Sequence, residues 1–242
     1  MSLLTIVQEA AGRIGIARPA MAATATDLKT QHLVSMVNEE GKKLSTGESV
    51  GVAHDWTSMI LETTFNALAT EDQGSISTIA PGMRYIINNT IFNRTLRRPV
   101  PGPLPPTAWQ LLKAANVVGP YPQWRVRAGR LLLLPAPVAG NAIYFEYATK
   151  FWCTSAVGLP KVSMSADDDV SLLDEDLITQ GVVYRWKRSK NLEYAEEFRD
   201  YSTAVLIAMQ REGGKPTLNQ GAPEFSPGTL YVPQSPGIVP IP

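Results

Sequence analysis

The feature that most constrains the fold is a pair of amphipathic helical patterns between Asp167 and Gly214. Ser171 and Asp174 predict a capping box at the start of the first helix, where acidic residues suit the positive end of the helix dipole. The second helix has a stripe at three-to-four-residue spacing, namely Leu192, Ala195, Phe198, Tyr201 (or Ser202), Val205 and Met209. We therefore predict a helical hairpin with one apolar side.

Two further helices are predicted near the N-terminus. Apolar residues recur with helical spacing through residues 2–14, which are followed by the Arg18-Pro19 step. Asp27 then provides an N-cap for a second amphipathic helix that continues to Leu44.

The apolar period changes from helical to two after Asp55, which indicates β-structure. Residues 61–67 alternate as in a half-buried strand. Residues 124–127 also alternate, Ala128-Gly129 makes a tight turn and residues 130–134 return, as in a hairpin. A third run at 143–147 follows, so we expect a three-stranded antiparallel meander.

These patterns predict an α+β fold, because helical ends enclose a β-rich middle. The N- and C-terminal helices, in residues 1–54 and 160–214, are expected to form a helical bundle. An antiparallel β-rich region, residues 55–159, is expected as an insertion, and residues 215–242 as an extended C-terminal tail.

The tail is rich in proline and nearly uncharged, which favours an extended conformation. A frayed terminus would be rich in Ser, Glu and Lys, whereas this segment has many apolar side chains. We therefore predict a docking arm that orders on a partner surface. Its expected contact residues are Leu218, Phe225, Leu230, Tyr231, Val232, Ile238, Val239 and Ile241.

The 22 basic and 22 acidic residues balance, which argues against a dedicated binder of nucleic acid or membrane surfaces. No apolar run is long enough for a membrane span and no signal peptide is evident, so we expect a product that stays in the cytoplasm where it is made. The single Cys153 excludes an internal disulfide and predicts a small buried side chain.

The sequence predicts no catalytic residue, no metal site and no cofactor. His32 and His54 are the only histidines and stand far apart, so a structural role is favoured over metal binding or base catalysis. The acidic triplet Asp167–Asp169 could hold a cation, but capping of the next helix is the favoured interpretation.

Six arginines cluster in the β-rich block and form a candidate contact surface. Two interpretations remain open, a solvated strand face or a surface that meets phosphate or carboxylate groups, which the forked guanidinium donors suit. The residues are Arg94, Arg97, Arg98, Arg125, Arg127 and Arg130.

Several segments, taken in order and spacing, resemble the head-to-tail adaptor (connector) proteins of tailed bacteriophages, particularly those related to tail tubular protein A of short-tailed phages. The resemblance extends to about Gly214. It is carried by SLLTIVQEAAGRIG, LVSMVNEEGKKL, HDW, ETTF, DQG, NRTLRRPVPGPLPPTAW, GPYPQWRVRAGRLLLLPAPVAGNAIYFEYATKFW and DDDVSLLDEDLITQGVVYRWKRSKNLEYAEEFRDY.

The resemblance implies a non-enzymatic virion protein, located at the neck of the particle and in the host cytoplasm during assembly. Such adaptors form a ring, usually of twelve copies, beneath the portal protein, with the tail nozzle on the far side. DNA passes through the centre without sequence-specific binding, and no membrane is involved. The resemblance therefore implies that the six arginines contact the DNA channel or neighbouring subunits. In some members the C-terminal segment extends along the portal.

Two alternatives belong to other functional classes. A sequence-independent nucleic-acid-binding protein would use the arginine-bearing β-sheet and would bind DNA in a salt-sensitive way. An enzyme, for instance a tail-associated hydrolase, would require a close pair of carboxylates in a cleft.

Overall fold

The structure is a computed structural model that describes residues 2–115, 119 and 121–212. These residues form six α-helices and eleven strands, with antiparallel sheets, which confirms the α+β class. The helices are α1 (Leu3–Arg13), α2 (Leu28–Leu44), α3 (Ile76–Ile79), α4 (Pro106–Ala115), α5 (Glu175–Ser189) and α6 (Ala195–Glu212). The strands are β1 (Ile60–Asn66), β2 (Asp72–Ser75), β3 (Met83–Ile86), β4 (Phe92–Asn93), β5 (Arg98–Pro99), β6 (Gln123–Arg127), β7 (Arg130–Leu134), β8 (Ala142–Thr149), β9 (Cys153–Thr154), β10 (Pro160–Lys161) and β11 (Val170–Ser171).

The described residues divide into two compact units. Residues 2–63, 76–87 and 146–212 form one, which we call the helical unit, and residues 64–75, 88–115, 119 and 121–145 form the other, the β unit. The helical unit thus takes in residues 55–63, 76–87 and 146–159, which the sequence pattern assigned to the β-rich insertion.

Four helices of the helical unit, α1, α2, α5 and α6, share one apolar core. Leu3, Ile6, Val7 and Ala10 of α1 are completely buried because they follow the helical period. On α6 the buried stripe is Tyr201, Val205 and Met209, whereas Leu192 and Phe198 of the predicted stripe are exposed.

The predicted helix starts meet different outcomes. Asp27 caps α2 as expected, since its carboxylate accepts a hydrogen bond from the Thr30 amide at 2.8 Å. The predicted start at Ser171 is wrong, because Ser171 belongs to β11 and pairs with Cys153. Asp174 caps α5 instead and accepts from the Asp176 amide at 2.9 Å.

The β unit contains the predicted β6–β7 hairpin, closed by Ala128 and Gly129 with φ angles of 50° and 70°. The predicted meander is wrong, since the third strand of this sheet is β2 and not β8. The amide of Leu133 donates to the Glu71 carbonyl at 2.8 Å, so the free edge of β7 is occupied by an earlier segment of the chain.

Strand β8 contributes its first half to the β unit, where Ile143 and Tyr144 pair with β4. Its second half belongs to the helical unit, where it pairs with β3. Among the described residues, every helix is too short or too polar to span a lipid bilayer.

The predicted docking arm lies outside the described residues. This applies to all eight of its expected contact residues, Leu218, Phe225, Leu230, Tyr231, Val232, Ile238, Val239 and Ile241.

Candidate interaction surface of the β unit

The described residues of the β unit have a strong positive charge. They include six arginines and Lys113 but only two acidic residues, Glu71 and Asp72, so their formal charge is +5. The described residues of the helical unit include 14 basic and 19 acidic residues, a formal charge of −5. The neutral composition of the whole chain therefore conceals two units of opposite sign.

Both acidic residues of the β unit are already paired within it. The Glu71 carboxylate lies 2.8 Å from the Lys113 ammonium group, and the Asp72 carboxylate accepts a hydrogen bond from Arg130. The hydrogen bond from Arg130 lowers the pKa of Asp72. Among the described residues of the unit, the side chains without an acidic counterpart are those of Arg97, Arg98, Arg125 and Arg127.

The hairpin of β4 and β5 contains three of the arginines. The Arg94 guanidinium lies 3.6 Å from the Tyr144 ring centroid, and the Arg98 guanidinium lies 4.3 Å from that of Tyr121. Cation–π contact holds both guanidinium groups against aromatic rings at the surface. Arg97 is exposed and has a left-handed φ of 54°, a conformation that glycine or asparagine adopts at lower cost.

The β6–β7 hairpin holds the other three arginines. Arg125 and Arg127 are two residues apart on β6 and so lie on the same face of the sheet. Arg127 is directly opposite Arg130 on β7, a like-charge pair that destabilises a sheet unless anions are nearby. Of these three arginines, only Arg130 forms an ion pair with Asp72 among the described residues.

Unpaired guanidinium groups remain after these contacts are assigned. Within the part of the chain that the structure describes, the side chains of Arg97, Arg125 and Arg127 form no hydrogen bond or ion pair. Such groups are available to a carboxylate or phosphate on another molecule.

Exposed apolar side chains accompany the arginines in the same unit. Arginine mixed with aromatic and aliphatic residues is typical of protein interfaces. The exposed large apolar residues are Leu68, Phe92, Leu96, Leu111, Tyr121 and Val138, with exposures of 42–70%.

The predicted arginines therefore all lie in the β unit, in two groups, and the sequence analysis missed the residues that distinguish them. Tyr121 and Tyr144 hold Arg98 and Arg94, and Asp72 neutralises Arg130. No local signal pairs Asp72 with Arg130, because the two are 58 positions apart and meet only through the pairing of β2 with β7.

The histidines and the acidic triplet occupy structural positions in the helical unit. His32 packs against Trp186, and His54 lies edge-on to Trp56 and 3.6 Å from the Glu212 carboxylate. Asp167 accepts hydrogen bonds from the Ala22 and Ala23 amides and so holds a loop in place. The expected capping of the next helix is therefore wrong for Asp167.

The described residues contain neither a group of side chains that could hold a metal ion nor an exposed thiol. Among residues 2–115, 119 and 121–212, no three His, Cys, Asp or Glu side chains could together hold a metal ion. Cys153 is buried as predicted, and burial raises the pKa of its thiol to about 12.

An open pocket in the helical unit is lined by His32, Glu39, Lys43 and Arg185. Three of its charged groups pair with one another, since Glu39 contacts Lys43 at 2.6 Å and Arg185 at 3.0 Å, and Arg188 is a further charged residue of the lining. The arginine surface of the β unit is therefore the stronger candidate for interaction. No protein-family model matches the sequence, and no curated protein is significantly similar to it.

Proposed function

We propose that this chain is a structural protein of a tailed-bacteriophage virion, a head-to-tail adaptor without enzymatic activity. About twelve copies would form a ring beneath the portal protein and hold the tail nozzle, with DNA passing through the central channel. The helices of the N- and C-terminal regions would form the bundle, and the β-rich region would be an insertion in it.

The observation that carries the proposal is the opposite charge of the two units. A ring of identical copies needs two different surfaces on each copy that complement each other. The helical unit at −5 and the β unit at +5 supply surfaces of opposite sign. The sequence resemblance to phage adaptors supports the same assignment.

In this proposal residues 215–242 bind the portal, because they are apolar, proline-rich and nearly uncharged. We expect that deleting residues 215–242 leaves a folded chain that no longer binds portal protein. Co-sedimentation with purified portal measures binding, and circular dichroism measures folding. A matched control keeps the length and replaces the eight apolar arm residues by serine, which should abolish binding equally.

Portal binding that survives the deletion would refute the assignment of the arm. We also expect the free chain to be mostly monomeric at low concentration and to close into a ring on the portal, because the template supplies the ordering free energy. Negative-stain images with and without portal test this. A stable dodecamer of the isolated chain at low concentration would contradict it.

A second candidate function is sequence-independent binding of nucleic acid by the β unit, which its charge of +5 favours. This function requires that the isolated chain shifts DNA in a gel. The shift should weaken steeply between about 0.05 M and about 0.2 M salt, because counterions are released when phosphates are neutralised.

A further inference from the structure

The helical unit presents an acidic surface on the outer side of α6. Glu196 and Asp200 are one helical turn apart, and Glu193 lies just before the helix. All three are exposed, and within the described ranges none of their carboxylates has a hydrogen-bond or ion-pair partner. The opposite side of α6 is buried through Tyr201 and Val205.

Two exposed apolar side chains extend this surface towards the end of α6. Leu206 and Ile207 are 41% and 42% exposed, although they lie in a helix whose other side is packed. The outer side of α6 therefore combines carboxylates with aliphatic groups. This composition matches the arginine and apolar residues of the β unit in charge and in hydrophobic character.

We infer that the arginine surface of one copy binds the outer side of α6 on a second copy of this chain. The inference rests on the proposed adaptor function and names the lateral contact of the ring. Each copy contributes a different surface, so the contact is head-to-tail and can be repeated from copy to copy.

The spacing of the charged groups agrees with this pairing. Arg125 and Arg127 are two residues apart on a strand, which separates them by roughly 6.6 Å. Glu196 and Asp200 are four residues apart on a helix, a rise of about 6 Å. Two guanidinium groups can therefore meet two carboxylates at once.

A second copy fits this surface better than DNA does. The −5 helical unit repels a polyanion, and the neutral chain has no long-range attraction to one. A phosphate backbone has no apolar group that could pack on the exposed Phe92 and Leu96, whereas Leu206 and Ile207 of another copy could pack on them. The test below includes DNA binding as an outcome that overturns the inference.

The test uses two full-length variants with reversed charge, one on each surface. The first is Arg125→Glu with Arg127→Glu, and the second is Glu196→Lys with Asp200→Lys. Sedimentation velocity at high protein concentration should show self-association of the original chain at about 0.02 M salt that weakens at about 0.3 M. Each variant alone should associate at least about tenfold more weakly, because like charges then face each other.

An equimolar mixture of the two variants should recover association to within about threefold of the original chain, because every contact is then between opposite charges. The matched control, Lys29→Glu with Lys42→Glu, places the same reversal on exposed positions of α2 and should change association by less than about twofold. Circular dichroism verifies folding. If a reversed variant is unfolded, the glutamine pairs at the same positions replace it.

A mixture that stays monomeric overturns the inference, and so does self-association unchanged in either variant. If the first variant instead loses salt-sensitive DNA binding while self-association is unaffected, the arginines serve nucleic acid. No portal protein is present in these measurements. A chain that binds portal but shows no recovery in the mixture would retain the adaptor function and lose this contact.

Discussion

The helical unit and the β unit treat charged side chains in opposite ways. In the helical unit Glu40 is completely buried and accepts hydrogen bonds from Arg185 of α5 and Tyr201 of α6. In the β unit Arg125 and Arg127 have no carboxylate within reach among the described residues. The buried charge of the helical unit is thus satisfied internally, whereas these surface charges of the β unit are left for a partner.

The Glu40 cluster shows how the helical unit satisfies a buried charge. Ser49 also donates to Glu40, at 2.9 Å. Helices α5 and α6 and a loop thus all contact the carboxylate that α2 provides. A Cβ atom at Gly181 would lie 2.5 Å from Glu40, so only glycine permits this approach of α5. Burial and the charge of Glu40 raise the pKa of Tyr201. The cluster therefore ties α2, α5 and α6 together.

The largest expected effect is on this cluster. Replacing Glu40 by alanine leaves Arg185, whose side chain is mostly buried, without its main counter-charge. We expect the free energy of unfolding to fall by about 3–5 kcal/mol. Urea denaturation measures it.

The neighbouring Glu39 is the matched control for Glu40. Its side chain is 50% exposed and contacts the same Arg185. Glu39→Ala should cost less than about 1 kcal/mol, because exposed ion pairs contribute little. Equal losses for the two variants would show that burial does not determine the value of these charges.

A smaller effect is expected at Asp169, which is buried in the helical unit. Burial would raise the pKa of its carboxyl, but Lys161 and the amides of Ser165 and Ala166 outweigh burial and lower it. Because the pKa of Asp169 in the folded chain lies below the ordinary value of about 3.9, its carboxylate stabilises the fold above that pH. This stabilisation is lost as the pH falls from about 3.9 through the lowered pKa. We expect Asp169→Asn to cost about 1–3 kcal/mol at neutral pH.

The pH profile distinguishes the charge of Asp169 from its packing. The original chain should lose stability between about pH 4 and pH 2, and the Asp169→Asn variant should lose less over that range. Thermal unfolding at several pH values provides both curves. Parallel curves for the two chains would contradict a role for the Asp169 carboxylate in acid sensitivity.

The smallest effect is expected in the β unit. Arg127→Thr removes a cation that faces Arg130 across the hairpin. We therefore expect the free energy of unfolding to rise, by at most about 0.5 kcal/mol. Arg130→Thr is the matched variant, since Arg130 has a partner in Asp72. Urea denaturation compares the two. A large loss in Arg127→Thr would mean that the arginine surface holds the fold together.

Patterns that depend on neighbours in the sequence predicted the structure well. The helices α1, α2 and α6 and the β6–β7 hairpin are confirmed, because helical period, caps and turn residues act within a few positions. Predictions that needed distant partners were wrong. Whether Ser171 begins a helix depends on Cys153, and which strand lies beside β7 depends on β2.

The candidate site follows the same division. By itself, the sequence determined the helical ends, the β-rich middle and the six arginines gathered there, because these are properties of contiguous residues. Only the tertiary structure decided that Glu40 is buried and that Asp72 neutralises Arg130. It also decided that opposite charges collect in separate units, because each unit is assembled from segments far apart in the chain.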